Sequence, residues 1–300
     1  MTRLPVGKLP PEPLADLMAL LPGGPRVVLG PSVGEDAAVI DMPDRYLVAK
    51  TDPITFATDE IGWYAVHINA NDIATTGAVP LWFMATLLLP AAHATVALAR
   101  SIFEQIAEAC RSLNVAVVGG HTEITYGFDR PVVVGCMLGE VAKDRLVRTG
   151  GAQPGDVVCV TGPLGGSLAG KHLTFTPRVR EALAVTKIAR VNAMMDITDG
   201  LSTDLNRICT QSGVGAVVEA ALVPLTEAAR RSPDPLAAAL NDGEDIELLM
   251  TLAPTEFKKL ATIKDISITR IGTITAERGM RLQTPDGTRT ILEPKGFDHL

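Results

Sequence analysis

The sequence predicts a two-domain α/β (α+β) protein, and three observations point there. The chain has 300 residues, and single hydrophobic cores stop growing at about 250–300 residues. Strand-like apolar runs alternate with stretches whose apolar residues recur at helical spacing, the order expected of mixed α/β layers rather than of a sandwich. A Gly- and Pro-rich break, RLVRTGGAQPGD at 145–156, interrupts the alternation near the midpoint and has the composition of a linker. The boundary is placed there, giving domains 1–148 and 149–300.

In the first half, PEPLADLMALL at 11–21 carries helical spacing and opens the chain with a short helix. AAVIDM at 37–42 and RYLVAKTDPIT at 45–55 are β-rich runs separated by a turn-like Pro-Asp. IGWYAVHINANDIAT at 61–75 repeats apolar residues at three and four, and Gly77 with Pro80 ends that helix. LWFMATLLLP at 81–90 is a buried strand, and 96–112 an amphipathic helix. NVAVVGGHTEIT at 114–125 is a strand running into a glycine turn, and RPVVVGCMLGEV at 130–141 another buried strand.

The second half resumes with the strand VVCVTGPLGG and the helix PRVREALAVTKIAR. The turn MMDITDG at 194–200 follows, then a helix to about Gln211 and the strand GAVVEAAL. GEDIELLMTL at 243–252 opens another strand, FKKLATI is helical, and the tail ends in LEPKGFDHL.

Composition narrows the function. Hydrophobic residues make up 47% and charged residues 20% of the chain, which is globular rather than disordered. Aromatic residues are only 4% and the net charge is −7. Neither base-stacking platforms nor a phosphate-backbone partner is expected, so nucleic acid is excluded as a partner. A small anionic ligand fits if a metal ion bridges it to acidic side chains. Cys110, Cys136, Cys159 and Cys209 form no C-x-x-C pair and read as reduced, mostly buried thiols. No signal-peptide core and no run of about 18 apolar residues is present, so a cytoplasmic protein with no membrane contact is expected.

Acidic turns recur. VGEDAAVID at 33–41 places Glu35 and Asp36 before a strand, by itself a turn with a solvated tip. Asp52 ends a strand that reads as buried, where a carboxylate needs partners. Asn71 and Asp72 are poor helix formers inside a helix, which implies side-chain work other than propensity. Gly119 and Gly120 follow an apolar strand, where backbone can approach a phosphate closely, with His121 and Glu123 next to them. Asp196 and Asp199 lie three apart in MMDITDG, and a carboxylate there also suits the N-terminus of the following helix. No Walker or Rossmann phosphate loop is present. Carboxylates holding hydrated magnesium, which in turn holds phosphate oxygens, are a sufficient alternative. Arg148 in the linker is placed to supply a cation.

GEDAAVI, TD, ANDIATTGAVP, GGHTE, RTGGAQPGD, DITDGLSTDL and GEDIELL, in that order, resemble the motifs of one superfamily. It contains aminoimidazole ribonucleotide synthetase, thiamine-monophosphate kinase, selenophosphate synthetase and the hydrogenase-maturation dehydratase. The resemblance covers nearly the whole chain. It implies a two-domain synthetase-like fold with ATP between the domains. The N-terminal ATP- and metal-binding domain would form a β-barrel across a homodimer, and the C-terminal domain is α/β.

The second half, with TPRV, MMDITDGLSTDL, DGEDIELL and KGFDHL, is most similar to the thiamine-monophosphate kinase branch. That branch implies an ATP- and Mg2+-dependent kinase acting on thiamine phosphate. Asp36, Asp52, Asp72, Asp196 and Asp199 would be its metal ligands, and Gly119, Gly120, His121, Arg148 and Thr198 would face ATP. Asp59, Glu244 and Phe297 would face the acceptor.

Two positions depart from the kinase pattern. His121 stands where the kinases have an aspartate, and Asp59 falls near their substrate-side histidine. The first half is closer to relatives of the synthetase and hydrogenase-maturation branches. The alternatives are therefore an ATP-dependent cyclo-ligase or dehydratase, or a nucleotide-binding relative without catalysis. The chain ends His299-Leu300, without the terminal cysteine of the hydrogenase-maturation enzyme.

Overall fold

The computed structural model describes residues 7–55 and 59–296. Its first half runs α1 (Pro11–Met18), β1 (Val27–Leu29), β2 (Ala38–Asp41), β3 (Arg45–Ile54), α2 (Ile61–Thr75), β4 (Val79–Pro90), α3 (Val96–Ser112), β5 (Ala116–Thr125) and β6 (Val132–Ala142). The strands form one six-stranded sheet in the order β1-β2-β3-β6-β4-β5, antiparallel except for the parallel pair β4–β5. The second half runs β7 (Val157–Thr161), α4 (Lys171–Thr174), α5 (Val179–Ile188), β8 (Ala193–Asp196), α6 (Leu201–Ser212), β9 (Gly215–Glu219), α7 (Glu227–Arg230), α8 (Pro235–Asn241), β10 (Leu248–Leu252), α9 (Pro254–Lys259), β11 (Ile268–Thr275), β12 (Gly279–Gln283) and β13 (Arg289–Ile291). Its seven strands make a second sheet, β13-β12-β9-β11-β7-β10-β8.

Helix α2 is the centre of the molecule. Every residue of it except Trp63 is buried, as expected of a helix enclosed on all sides. It packs on β3, β4 and β6 of the first sheet, on α3, and on α5 and β8 of the second half. The approach to β6 depends on glycine. A Cβ at Gly135 would lie 2.4 Å from Asn69 Nδ2, and one at Gly139 would lie 2.5 Å from Ile73 Cγ2. Helix α3 is the amphipathic element its spacing predicts, burying Ile102, Ile106, Ala109 and Cys110. Thr95 Oγ1 caps it, accepting from the Leu98 N–H at 3.1 Å, an interaction worth about 1 kcal/mol in comparable helices.

The second sheet is covered on both faces, which explains its continuous apolar strands. Val157, Cys159, Met194, Leu248 and Met250 share one core with the first half's α2, α3 and β6. Val158, Val160, Met195 and Leu249 point the other way, into a core with Leu201, Leu205 and Ile208 of α6. Side chains alternate across a strand, so one strand serves both cores.

The structure adds the short elements β1, α4, α7 and α8, which the sequence pattern did not mark, and differs from the sequence reading in larger features. Gly119 and Gly120 are not a turn: β5 continues through them to Thr125, because each pairs with β4, Met84 opposite Gly119 and Ala85 opposite Gly120. Strand β5 is also exposed over nearly its whole length. Strands β11 to β13 lie beyond the elements the pattern marked, and the Ile/Thr-rich ITRIGTIT of β11 is the signal that could have found the first of them. Cys110, Cys159 and Cys209 are buried, Cys136 is half-buried, and all four are free thiols. Among the described residues, no helix is long and apolar enough to cross a membrane.

Candidate active site

Asp36, Asp72 and Asp196 arrive from three elements of two halves. Asp36 follows the turn before β2, Asp72 lies in the last turn of α2, and Asp196 ends β8. Between the strands and the helix stands Lys50 of β3, whose Nζ is 3.0 Å from Asp72 Oδ2 and 3.6 Å from Asp52 Oδ2. Asn71, one residue before Asp72, donates from Nδ2 to Asp196 Oδ2 at 2.6 Å and so ties α2 to the second half. Asp36 Oδ2 is buried with no hydrogen-bond partner among the described residues.

This arrangement is short of positive charge. Burial, and then the neighbouring charge of Asp72, pushes the Asp36 carboxyl well above the usual carboxylate range. Burial does the same to Asp72, with Lys50 pulling down and Asp196 adding to the rise. Asp196 is raised by burial and by Asp36, against the hydrogen bond from Asn71. Lys50 is the mirror case. Burial opposes its charge, but the carboxylates of Asp72, Asp52 and Asp36 outweigh burial and hold it protonated.

The solvated tip expected at 35–36 is absent: Glu35 is 8% exposed and pairs with Arg148 at 3.6 Å. Asp52 is less buried than its strand suggested, at 41% side-chain exposure, since the end of β3 alternates between exposed and covered positions.

Asp199 lies in the same turn as Asp196 but in a different environment. Lys8 contacts both of its carboxylate oxygens at 2.8 Å, and Arg207 pairs with it as well. Burial alone would raise this carboxyl, yet the two cations hold it down at about 2. It does not cap α6, whose N-cap is Gly200 with no side-chain cap bond. Buried Asp204 reaches back from the first turn instead, accepting from the backbone N–H groups of Thr198 and Asp199 at 3.0 Å each. Thr198 is thereby fixed, its carbonyl also accepting from the Glu244 N–H at 2.7 Å.

Glu244 is buried and accepts a 2.6 Å hydrogen bond from the Tyr64 hydroxyl of α2, another link between the halves. Asp59 is exposed, and its carbonyl accepts from Gln105 Nε2. Gly119, Gly120 and His121 are not brought to the acidic cluster within one chain. They stand on β5, separated from β3 by β6 and β4, and His121 is 67% exposed, 3.6 Å from Glu123. Phe297 lies outside the described residues.

A second buried ionic group adjoins the first. Glu247, fully buried, accepts from Arg178 Nε at 2.6 Å and Nη2 at 2.7 Å, from Lys171 Nζ at 2.9 Å and from the Thr161 hydroxyl at 2.8 Å. The Arg178 backbone N–H donates to Asn71 Oδ1 at 2.7 Å, which joins the two groups. Lys50, Asp204 and Glu247 are residues that sequence reasoning missed. The signals were weak: Lys50 stands in the β-rich run of β3, Glu247 directly precedes the apolar β10, and Asp204 lies in a helix with several other polar residues.

Carboxylate oxygens are hard donors suited to magnesium, and the bare Asp36 Oδ2 is a place for such an ion. Among the described residues, no three His, Cys, Asp or Glu side chains stand ready-made as a metal cage. Magnesium does not require one, since it binds through one or two carboxylates together with water and substrate phosphates.

Comparison with known proteins agrees in outline. Profiles described as AIR synthase related protein, N-terminal domain and C-terminal domain, match residues 34–141 and 153–284. A thiamine-monophosphate kinase of Rhodopirellula baltica is 35% identical over 92% of this chain and 92% of its own length. One of Methanospirillum hungatei is 33% identical over 88% of this chain and 92% of its own length. A solved structure described as "AaThiL complexed with AMPPCP and TMP" superposes with a TM-score of 0.76 at 27% identity, covering 89% of this chain and 92% of that one.

Proposed function

The chain belongs to the AIR synthase related protein family, in its thiamine-monophosphate kinase branch, and from that premise we propose that it transfers the γ-phosphoryl group of ATP to thiamine monophosphate. The products are thiamine diphosphate and ADP. The observation that carries this reading is the convergence of Asp36, Asp72 and Asp196 from both halves, with Asp36 Oδ2 buried and without a hydrogen-bond partner among the described residues. Such a cluster costs folding energy unless a cation completes it.

Asp36, Asp72 and Asp196 would hold magnesium, with Asp52 and Asp199 at its edges. When bound, the ion neutralises charge developing on the transferred phosphoryl group. The chain's own residues provide position. Arg148, half-exposed and only loosely paired with Glu35 at 3.6 Å, offers its guanidinium to phosphate oxygens. Thr198 is held in place by Asp204 and Glu244 and would face ATP. Glu244, oriented by Tyr64, faces the acceptor, with Asp59 on the first-domain side. Phosphoryl transfer of this kind needs in-line positioning and charge neutralisation, and no covalent enzyme intermediate.

The first domain, 1–148, would also dimerise. Its outer strand β5 exposes Val117, Val118 and Ile124 at 52%, 54% and 62%. An apolar unpaired edge is an aggregation hazard unless another strand covers it, and a second copy of this chain is the proposed cover. That arrangement would carry Gly119, Gly120 and His121 into the interface. Size-exclusion chromatography with light scattering checks it: a dimer is expected, and a monomer at micromolar concentration would remove the proposal.

The activity is tested by product analysis. Purified protein with Mg-ATP and thiamine monophosphate is expected to form thiamine diphosphate and ADP in equal amounts. Release of inorganic phosphate without phosphorylated acceptor would instead point to a cyclo-ligase or dehydratase, and no turnover to a nucleotide-binding relative.

A further inference from the structure

Lys50 is a peculiar occupant of an acidic cluster that is meant to receive metal. Its side chain is 19% exposed, and its ammonium faces Asp72 at 3.0 Å and Asp52 at 3.6 Å, with the charge of Asp36 also acting on it. Lys50 and Asp52 are two apart on β3 and share a face. The ammonium therefore lies between the strand and α2, within ion-pair distance of both Asp52 and Asp72. Among the described residues Asp36 Oδ2 has no hydrogen-bond partner, and Asp196 takes its hydrogen bond from neutral Asn71. Among the described residues Lys50 is within ion-pair distance of Asp52 and Asp72, whereas its charge reaches Asp36 and Asp196 only from farther away.

We propose that Lys50 is a built-in cation of the phosphate clamp: it holds the position between Asp52 and Asp72 that a metal ion could otherwise take, and leaves the Asp36–Asp196 side as the one open to magnesium. The reason is electrostatic. Two cations close together in a partly dehydrated pocket repel strongly, so a fixed ammonium excludes a second ion from the same pair of carboxylates. A lysine head group is compact and sits on a flexible stem. It can stay beside Asp72 while meeting a phosphate oxygen that the open side brings in. Lys50 is then a positioning residue that sets how many ions the site takes.

This inference rests on the reading of the cluster as the metal–nucleotide site, and the test separates the two. Magnesium chloride is titrated by calorimetry, without nucleotide and then with ATP present, into wild type, Lys50→Met, Lys50→Arg and Asp36→Asn. Lys50→Met is expected to take one more magnesium ion per chain than wild type, or to bind magnesium at least tenfold more tightly. Lys50→Arg, which keeps the charge, is expected to keep the wild-type stoichiometry. Magnesium should also raise the thermal midpoint of Lys50→Met more than that of wild type. If Lys50→Met is too unstable to purify, Lys50→Gln serves for the same titration. Equal stoichiometry and affinity in wild type and Lys50→Met, with binding lost in Asp36→Asn, would overturn the role of Lys50 and keep the clamp. Absence of magnesium binding in every protein, with and without ATP, would overturn both.

Discussion

Two buried ionic groups flank Asn71, and they are neutralised to different degrees. On one side Glu247 meets two cations and a hydroxyl, Arg178, Lys171 and Thr161, all within 2.9 Å. On the other, of Asp36, Asp72 and Asp196 only Asp72 has an ion pair among the described residues, with Lys50, and Asp36 Oδ2 has no hydrogen-bond partner there. Both groups are deep in the fold and are joined through one asparagine. A buried carboxylate is tolerated when its partners are complete and costs stability when they are not. The satisfied group therefore holds the molecule together, while the unsatisfied one costs stability that a bound cation can restore. The difference between scaffold and site is a matter of partner count, not of residue type.

The sharpest way to break the comparison is to remove charge from the satisfied side. Glu247→Gln leaves Arg178 and Lys171, 22% and 28% exposed, facing a neutral amide in a fully buried position. Breaking a buried pair in this way costs about 3–5 kcal/mol, so chemical denaturation should show a loss of that order; a loss under about 1 kcal/mol would mean the group is not structural. Next is the link itself. Asn71→Ala strips the hydrogen bonds to Asp196 and to the Arg178 N–H, leaving two buried polar groups unpaired. A loss of about 1–3 kcal/mol is expected, read by the same denaturation.

Much of the fold was legible where an element of the first half has one clear period. The amphipathic α3 and the continuous apolar strands β4 and β6 fall where their patterns put them. The exposure of β5 was not legible, because an apolar run marks a strand that needs cover without saying which chain supplies it. In the site, the acidic turns could be flagged singly but not weighed. Lys50 and Asp72 come from a strand and a helix. Asn71 and Asp196 are 125 residues apart, and Glu247 and Arg178 are 69 apart. Whether a carboxylate is satisfied depends on partners that only folding brings near. Hence the turn at Asp36, which looks solvated in sequence, is only partly exposed with Asp36 Oδ2 buried, and the turn at Asp199, which looks like a helix cap, is an ion pair whose backbone Asp204 caps.

The comparison also has a pH signature, with a smaller effect. Asp36, Asp72 and Asp196 have carboxyl groups raised by burial and mutual repulsion. A carboxyl whose folded value lies above its unfolded one, about 3.9 for Asp, favours the folded state most at low pH and loses that advantage as pH rises through the folded value. The metal-free protein should therefore gain about 1–2 kcal/mol, a few degrees in thermal midpoint, as pH falls from about 8 to about 6. Asp199, held at about 2 by Lys8 and Arg207, acts in the opposite sense but only at more acid pH, so it does not mask the slope. Saturating Mg-ATP should flatten the slope, because the cations then supply what protons supplied. A slope that persists unchanged with Mg-ATP would place its origin elsewhere.

The smallest expected effect on stability is the most telling, because it repeats the first substitution in the other group. Asp36→Asn, like Glu247→Gln, replaces a buried carboxylate with an amide of the same shape. Here no partner is stranded: Asp36 Oδ2 accepts nothing among the described residues, and its charge mainly opposes burial and Asp72. Removing it relieves repulsion, so the variant should unfold within about 1 kcal/mol of wild type or be slightly more stable, since the usual penalty of a buried mutation comes from partners left unpaired. Its loss should appear only in binding, where magnesium-dependent ATP affinity is expected to fall at least tenfold, equivalent to about 1.4 kcal/mol. A destabilisation as large as that of Glu247→Gln would show that Asp36 is part of the scaffold, and the distinction between the two groups would collapse.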